Sequence, residues 1–327
     1  MRDIMVSICC LTYNQEEYIR DALDGFVMQK TTFPFEILIH DDASTDGTAD
    51  IIRQYEAQYP GLIKPIYQTE NQFSKHVAIS HVFQYPRAKG KYIAVCEGDD
   101  YWTDPMKLQK QVEYMESHSD CGLCFTNGQC IKNGSPAGRV VPWIQWNRKA
   151  YKPGDADYDM GEMVLLDYVP TASLMFRRED ILNLPAFSDN AFKGDTCIRL
   201  YMTSLGYAHC IDVDTCVYRF RVSGSLTTQW HANVEKSLAF MDKLICLLDD
   251  MNQMTDFRYA VQIGELKLRT EFKKCMTKQD YRAARKKAFH ALHRADGWEA
   301  YAKYLLSVYC PGMYESLRRA KAARKNG

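Results

Sequence analysis

Short apolar runs alternate with amphipathic helical patterns along the first 126 residues, and this alternation restricts the fold more than any other feature. The runs of strand length are Val6–Leu11, Phe35–Ile39, Ile63–Tyr67, Tyr92–Cys96 and Cys121–Thr126. Apolar residues at helical spacing separate them, for example over 77–85. Asn14, with Glu17 three residues later, has the spacing of a capping box for the first helix. The pattern indicates an α/β fold in which helices flank a mostly parallel sheet.

Polar side chains follow three of the predicted strands. Thr12–Asn14 follows the first strand, Asp41–Asp42 the second and Glu97–Asp100 the fourth. Open α/β sheets bind ligands at the carboxyl ends of their strands, so these three clusters are expected to meet at one edge of the sheet. Stability alone does not readily explain three such clusters. They therefore predict a binding site.

The segment Glu97–Asp100 offers carboxylates for a hard cation. Glu97 and Asp99 are two residues apart and would face one side of an extended segment, with Asp100 on the other side. Such oxygen ligands suit Mg²⁺ or Mn²⁺ held jointly with substrate phosphates. An isolated EGDD segment is more often an acidic loop before a helix, but the two other clusters favour the metal interpretation.

The segment DDASTDGT contains the second cluster. Asp46 and Gly47 are typical of a turn, and Ser44 or Thr45 is typical of a helix cap, so local structure alone could explain these positions. Asp41 and Asp42 precede them at the predicted strand end. A carboxylate in this place can accept a hydrogen bond from the N–H of a nucleotide base.

Three sequence segments carry a family resemblance: VSICCLTYNQEEYI, EILIHDDASTDGT and GKYIAVCEGDDYWTDPMKLQKQVEYM. Together they resemble the family 2 glycosyltransferases of the GT-A fold, of the type that acts in bacterial surface polysaccharide synthesis. The features that resemble the family are an apolar strand ending in T/S-Y-N, a D-D-x-S-x-D-x-T loop and a D-x-D-type acidic motif. They occur in the family's order over about 120 residues.

The resemblance implies a nucleoside-diphosphate-sugar donor. Thr12, Tyr13 and Asn14 would lie around its base and ribose. Asp42 would accept the imide N–H of the base, which favours a UDP-sugar over a purine nucleotide. The remaining donor contacts would come from the acidic motif.

The resemblance also implies Mn²⁺ or Mg²⁺ at that motif. Asp100 would be the main metal ligand, and Asp99 would lie near the ribose, the diphosphate and the metal. Glu97 stands where many members have Asp, and it would also border the donor. The cation would stabilise the negative charge that develops on the leaving diphosphate.

In the second half of the chain, the resemblance implies a base and a phosphate-binding arginine. Asp195 would deprotonate the acceptor hydroxyl, and direct attack would invert the anomeric carbon. The alternative is that Asp195 only caps the helix predicted over Thr196–Leu205. Arg219 or Arg221 would pair with the diphosphate, or both would belong to a surface strand that pairs with the acidic part of the chain.

The C-terminal region is basic and helical, although the net charge of the whole chain is zero. Residues 258–327 contain 17 lysine and arginine residues and 6 aspartate and glutamate residues. Helical patterns are predicted over 231–250, 256–276, 279–294 and 298–308. Docking on an anionic membrane surface would suit a lipid-linked acceptor, whereas a solvated face with homodimer contacts is the alternative. The region has no recognised nucleic-acid motif, so nucleic acid is not an expected partner.

The predicted organisation is a GT-A domain over 1–230 and a basic helical region over 231–327. The domain would comprise a nucleotide-sugar-binding half, 1–126, and an acceptor half, 127–230. No apolar run reaches bilayer length and the N-terminus does not resemble a secretory signal, so the prediction is a cytoplasmic protein. It would be peripheral on the inner membrane face if the basic region docks there, and this alternative stays open.

The predicted reaction is inverting transfer of a sugar from a UDP-sugar to a hydroxyl of a saccharide or lipid-linked saccharide. Two alternatives remain open at this point. A sugar-1-phosphate nucleotidyltransferase would carry a glycine-rich loop after the first strand, where this chain has TYN. A non-catalytic sugar-nucleotide-binding or membrane scaffold protein would have no need to keep Asp99, Asp100 and Asp195 together.

Overall fold

The computed structural model describes residues 3–132, 150–166, 168–188, 191, 194–220 and 233–323. The chain divides into two compact units. The first comprises residues 1–187 and 193–228, and the second comprises residues 188–192 and 229–327. Each unit contains its own cluster of buried apolar residues.

A nine-stranded sheet lies at the centre of the first unit, counted over the described residues. Its strands in chain order are β1 Val6–Thr12, β2 Phe35–Asp41, β3 Ile63–Tyr67, β4 Tyr92–Val95, β5 Tyr101–Trp102, β6 Cys121–Lys132, β7 Ala156–Tyr158, β8 Met175–Arg177 and β9 Tyr207–Phe220. The order across the sheet is β3-β2-β1-β4-β8-β6-β9-β5, and β7 pairs with β9. Strands β3, β2, β1 and β4 are mutually parallel, whereas β8 is antiparallel to both neighbours.

The parallel half of the sheet follows from its apolar sequence. Strand β1 is buried at every position except Leu11, as expected for a strand covered on both faces. Its register with β2 places Thr12 opposite Asp41 at the carboxyl ends of the two strands. The first two polar clusters therefore begin side by side.

The helices of the first unit cover this sheet. They are α1 Ile19–Val27, α2 Thr48–Gln58, α3 Lys107–Ser117, α4 Met160–Leu165, α5 Arg178–Leu182 and α6 Asp195–Ser204. The capping box predicted at Asn14 is wrong, because α1 begins at Ile19 and Asn14 has a left-handed backbone with φ of 50°. The helix predicted over 77–85 is instead a π-helical turn, Ser80–Gln84, followed by a 3₁₀ turn, Tyr85–Arg87. Pro86 has no backbone N–H to continue an α-helical hydrogen-bond ladder.

Strand β9 brings a distant part of the chain to the acidic segment. It runs parallel to β6 from Tyr207 to Phe220 and antiparallel to the short strand β5, with Val217 opposite Tyr101. Because β5 directly follows Asp100, the residues after Val217 lie beside the carboxyl end of β4. The register therefore delivers Arg219 to the acidic cluster.

The second unit is helical in its described part. Its helices are α7 Val234–Met254, α8 Ala260–Thr277, α9 Lys287–Ala295, α10 Trp298–Tyr309 and α11 Pro311–Ala323. The helix predicted over 279–294 is divided, since a 3₁₀ turn at Ala283–Arg285 precedes α9. Phe289, Tyr304 and Val308 form the centre of its buried cluster. Within the described residues, no helix is both long and apolar enough to cross a bilayer.

Candidate functional site

The end of β1 and the acidic segment touch each other through a glycine. Gly98 N donates a hydrogen bond to Leu11 O at 2.9 Å. A Cβ atom at Gly98 would lie 2.5 Å from Gln15 Oε1 and 2.8 Å from Thr12 Oγ1, so no larger residue fits without displacing them. Gln15 Oε1 accepts a hydrogen bond from Thr12 Oγ1 at 2.8 Å, and the Gln15 side chain also bonds to Asp99. The first and third polar clusters are therefore in direct contact.

The first and second clusters are joined by side-chain-to-backbone hydrogen bonds. Asn14 Oδ1 accepts from Thr45 N at 2.8 Å, and Ser44 Oγ accepts from Asn14 N at 2.9 Å. Because the Asn14 oxygen accepts this hydrogen bond across the two loops, it does not cap α1. Tyr13 lies between these fixed neighbours and is 46% exposed, which leaves its ring accessible to a ligand.

Asp42 is buried and hydrogen-bonded within the chain. Its Oδ1 accepts from Gln72 N at 2.7 Å, and its Oδ2 accepts from Phe73 N at 3.0 Å. Its backbone carbonyl accepts from Asn71 Nδ2 at 3.2 Å. The carboxylate therefore holds the loop after β3 against the end of β2, a role that the sequence did not reveal. Oδ1 also lies 3.6 Å from His40 Nε2, whereas Oδ2 retains a further lone pair for a ligand.

The acidic segment concentrates negative charge. Asp100 is 1% exposed, and burial together with repulsion from Asp99 and Glu97 holds its pKa well above the usual range. Burial also raises the pKa of Asp99, although Arg219 and Gln15 oppose the shift. Desolvation by the surrounding protein and repulsion from Asp99 and Asp195 raise the pKa of Glu97, although part of its side chain remains exposed to solvent. A bound cation would relieve this mutual repulsion.

The donor set fits a divalent cation that is shared with phosphates. Aspartate and glutamate oxygens are ligands of the kind that Mg²⁺ and Mn²⁺ prefer. The described residues contain no ready-made group of three or more metal-binding side chains. One or two carboxylates are nevertheless sufficient when substrate phosphates complete the coordination. Asp100 and Asp99 are the residues predicted from the sequence to supply them.

Arg219 is engaged inside the protein. Its Nη1 donates to Asp99 O at 2.7 Å, and its Nη2 forms an ion pair with Asp21. The guanidinium lies over the rings of Tyr18 and Tyr101 at 5.1 Å and 4.4 Å. The sequence left two interpretations, direct pairing with the diphosphate and a strand that pairs with the acidic part of the chain. The contacts of Arg219 agree with the second. The second candidate, Arg221, lies outside the described residues.

Asp195 is the first residue of α6, and Gly194 occupies the cap position. Its side chain is half-buried, and its negative charge raises the pKa of Glu97. The fold thus brings Asp195 to the acidic segment although the two are far apart in sequence. This placement is what a base acting beside the donor requires.

Tyr168 is a residue of this site that sequence reasoning missed. Burial, the neighbouring Tyr218 and the charges of Asp100, Asp195 and Glu97 all hold the pKa of its hydroxyl well above the usual range. Its ring centroid lies 5.2 Å from that of Tyr218. Tyr168 is therefore near enough to the acidic segment and to Asp195 for their charges to act on its hydroxyl. No motif or periodicity used in the sequence analysis pointed to it.

Comparison with known proteins identifies the family. The model of glycosyl transferase family 2 matches residues 7–181, which is more than half of the chain. The chain belongs to this family. It is 34% identical over 138 residues to the putative teichuronic acid biosynthesis glycosyltransferase TuaG of Bacillus subtilis, covering 42% of this chain and 52% of TuaG. The chain spans about half the length of the curated relatives that it matches.

Solved structures show the same fold. Staphylococcus aureus TarS 1–349 in complex with UDP-GlcNAc matches with a TM-score of 0.55 and 16% identity, over 94% of this chain and 92% of that one. The mannosyltransferase PcManGT of Pyrobaculum calidifontis, in complex with GDP-Man and Mn²⁺, matches with a TM-score of 0.57 and 16% identity, over 96% and 88% of the two chains. The predicted α/β GT-A fold with C-terminal helices is confirmed. Family membership supports glycosyl transfer rather than nucleotidyl transfer.

Proposed function

We propose that this family 2 glycosyltransferase moves a sugar from a UDP-sugar to a hydroxyl of a saccharide or lipid-linked saccharide, in the synthesis of a cell-surface polysaccharide. The observation that carries the proposal is the meeting of the three polar clusters at one sheet edge, with Asp195 beside Glu97. The name of TuaG, a teichuronic acid biosynthesis enzyme, supports the pathway. The complex of TarS with UDP-GlcNAc supports a UDP-sugar as donor. The complex of PcManGT with GDP-Man makes the identity of the nucleobase the first point to test.

The residues of the site divide the chemistry between them. Thr12, Tyr13 and Asn14 surround the base and ribose in this proposal, and Asp42 accepts the base imide N–H. Asp100 and Asp99 would hold the Mn²⁺ or Mg²⁺, whose charge stabilises the departing diphosphate. These assignments leave proton transfer to a residue on the acceptor side.

Asp195 is proposed as the base on that side. It accepts the proton of the acceptor hydroxyl as the hydroxyl oxygen attacks the anomeric carbon. The new glycosidic bond forms as the bond to the diphosphate oxygen breaks, so UDP departs with that electron pair. Attack from the face opposite the leaving group inverts the configuration and requires no covalent enzyme intermediate.

Nucleotide titration calorimetry tests the donor proposal. UDP, GDP, CDP and ADP are titrated separately into the protein in Mn²⁺ and again in EDTA. We expect UDP to bind most tightly, and we expect EDTA to weaken its binding. Equal affinity for all four nucleotides, or indifference to EDTA, would overturn the proposed donor site. Metal-dependent UDP binding without turnover of any UDP-sugar would favour the non-catalytic scaffold.

The basic helical unit is proposed to contact an anionic membrane surface, which places a cytoplasmic enzyme close to a lipid-linked acceptor. Helix α11 exposes Met313 and Leu317, each 55% exposed and one helical turn apart, and it also carries Arg318 and Arg319. Each basic residue near an anionic surface contributes about 1 kcal/mol of attraction. Flotation with anionic but not with zwitterionic vesicles is the expected result. Self-association in sedimentation without flotation would support the homodimer instead.

A further inference from the structure

We propose that Arg219 is a positioning residue that fixes the Asp99–Asp100 segment for binding of the metal and the diphosphate. It acts through contacts with other protein groups and does not touch the donor itself. The inference rests on the proposed function. For Arg219 it replaces the expectation of direct contact with the donor phosphates, whereas the prediction for Arg221 lies outside the described residues. The contacts of Arg219 with the acidic segment, with α1 and with the neighbouring rings carry the argument.

Arg219 contacts the acidic segment at two points. The backbone N of Arg219 donates to Asp100 Oδ1 at 2.9 Å, and its Nη1 donates to Asp99 O at 2.7 Å. The first contact orients the carboxylate of the predicted metal ligand. The second fixes the peptide unit between Asp99 and Asp100. One residue thus restrains both the main chain and the side chain of the motif.

The rest of the guanidinium is anchored on the body of the unit. Its Nη2 forms an ion pair with Asp21 in α1. The rings of Tyr18 and Tyr101 lie within cation–π distance of the guanidinium carbon. The side chain is only 11% exposed. Both of its terminal nitrogens therefore have partners within the protein, and little of its surface remains for a phosphate.

The acidic segment needs this restraint because its own charges oppose it. Asp100 is buried, and the like charges of Asp99 and Glu97 lie close to it in the same short segment. Strand pairing alone provides little support, because β5 is two residues long and its register with β9 ends at Tyr101 and Val217. The Arg219 side chain extends the attachment past that end. It also supplies the positive charge that partly balances the cluster.

Partners that orient a metal ligand from behind are worth about 10- to 100-fold in metal affinity. We therefore expect Arg219→Gln to raise the Mn²⁺ concentration needed for UDP binding by about tenfold or more. UDP affinity at saturating Mn²⁺ should stay within about threefold of the wild type, since a restored metal site restores the phosphate contacts. The Mn²⁺ concentration that Arg219→Lys requires should lie between those of the wild type and Arg219→Gln, because a single ammonium keeps the charge but not the forked geometry.

The experiment is a set of UDP titrations by calorimetry at a series of Mn²⁺ concentrations. Arg53→Gln is the matched control, since Arg53 also pairs with a carboxylate, Asp50, and lies over a ring, Tyr67, but on α2. A loss of UDP affinity in Arg219→Gln that persists at saturating Mn²⁺ would overturn positioning in favour of direct phosphate pairing. An unchanged Mn²⁺ dependence would also overturn it.

Two further measurements keep the outcomes distinct. If Arg219→Gln does not fold by circular dichroism, Asp21→Asn decides, because it removes only the outer ion pair. A shift of its Mn²⁺ dependence in the same direction supports the proposal, and no shift overturns it. Failure of the wild type to bind UDP with Mn²⁺ would instead overturn the proposed function, so the two failures are separable.

Discussion

Replacing Asp42 by asparagine is expected to release the loop that follows β3. The two carboxylate oxygens accept backbone hydrogen bonds from Gln72 at 2.7 Å and Phe73 at 3.0 Å, and the residue is 3% exposed. A carboxamide keeps one accepting oxygen but turns an NH₂ group toward the other backbone donor. Loss of one hydrogen bond to a charged acceptor costs about 1.5–3 kcal/mol. A value of about 2 kcal/mol corresponds to a roughly thirtyfold larger equilibrium constant for local opening of the loop.

Amide hydrogen exchange followed by mass spectrometry measures this directly in the peptide that contains Gln72 and Phe73. We expect its exchange to accelerate by about that factor, while peptides from β1 keep their protection. Asp50→Asn is the control, because the Asp50 carboxylate is exposed on α2. Unchanged protection in Asp42→Asn would refute the reasoning.

The same Asp42→Asn variant separates two effects on nucleotide binding. Loosening of the loop alone should weaken UDP and CDP by similar factors. Loss of an acceptor for the base imide N–H should weaken UDP more than CDP, because cytosine lacks that donor. Calorimetric titration of the variant with the nucleotide panel distinguishes these results. An unchanged ratio of UDP to CDP affinity would remove Asp42 from base recognition.

Three further predictions concern the base and two buried charges. Asp195→Asn should lower kcat by about 100- to 10,000-fold with unchanged UDP affinity, and a loss under tenfold in a UDP-sugar transfer assay would exclude Asp195 as the base. Burial alone would raise the pKa of Glu36, but hydrogen bonds from Lys64, Ser7 and Lys89 N lower it. Glu36→Gln should therefore lower the free energy of unfolding by about 1–3 kcal/mol at pH 7. That loss should shrink as the pH falls below about 4.5, and a pH-independent difference in urea unfolding would contradict it. Burial lowers the pKa of Lys107 to about 8. The free energy of unfolding of the wild type should therefore rise relative to that of Lys107→Met by about 2 kcal/mol between pH 8 and 9.5, because the ammonium is neutralised first in the folded state. A difference between the two proteins that stays constant with pH in urea unfolding would refute this.

Much of the fold was predictable because its signals are local. A continuous apolar run predicts a strand buried on both faces, and such strands in alternation with helices predict a parallel sheet. The observed strands β1 to β4 lie where the sequence placed them, within one or two residues. Polar residues directly after those strands predicted which edge of the sheet would hold the site. Asn14 shows the limit of local reasoning, because its predicted capping contact was replaced by a bond to Thr45.

The sequence by itself thus determined the family, the parallel half of the sheet and the three clusters at its edge. Only the tertiary structure decided which side chains meet there. Arg219 contacts Asp100 across 119 positions of the chain, and the ring of Tyr168 lies 5.2 Å from that of Tyr218 on the returning strand β9. Such contacts depend on strand order and register, above all on the return of β9 beside β5, and no periodicity along the chain encodes them. The residues that support the acidic motif therefore became visible only in the folded protein.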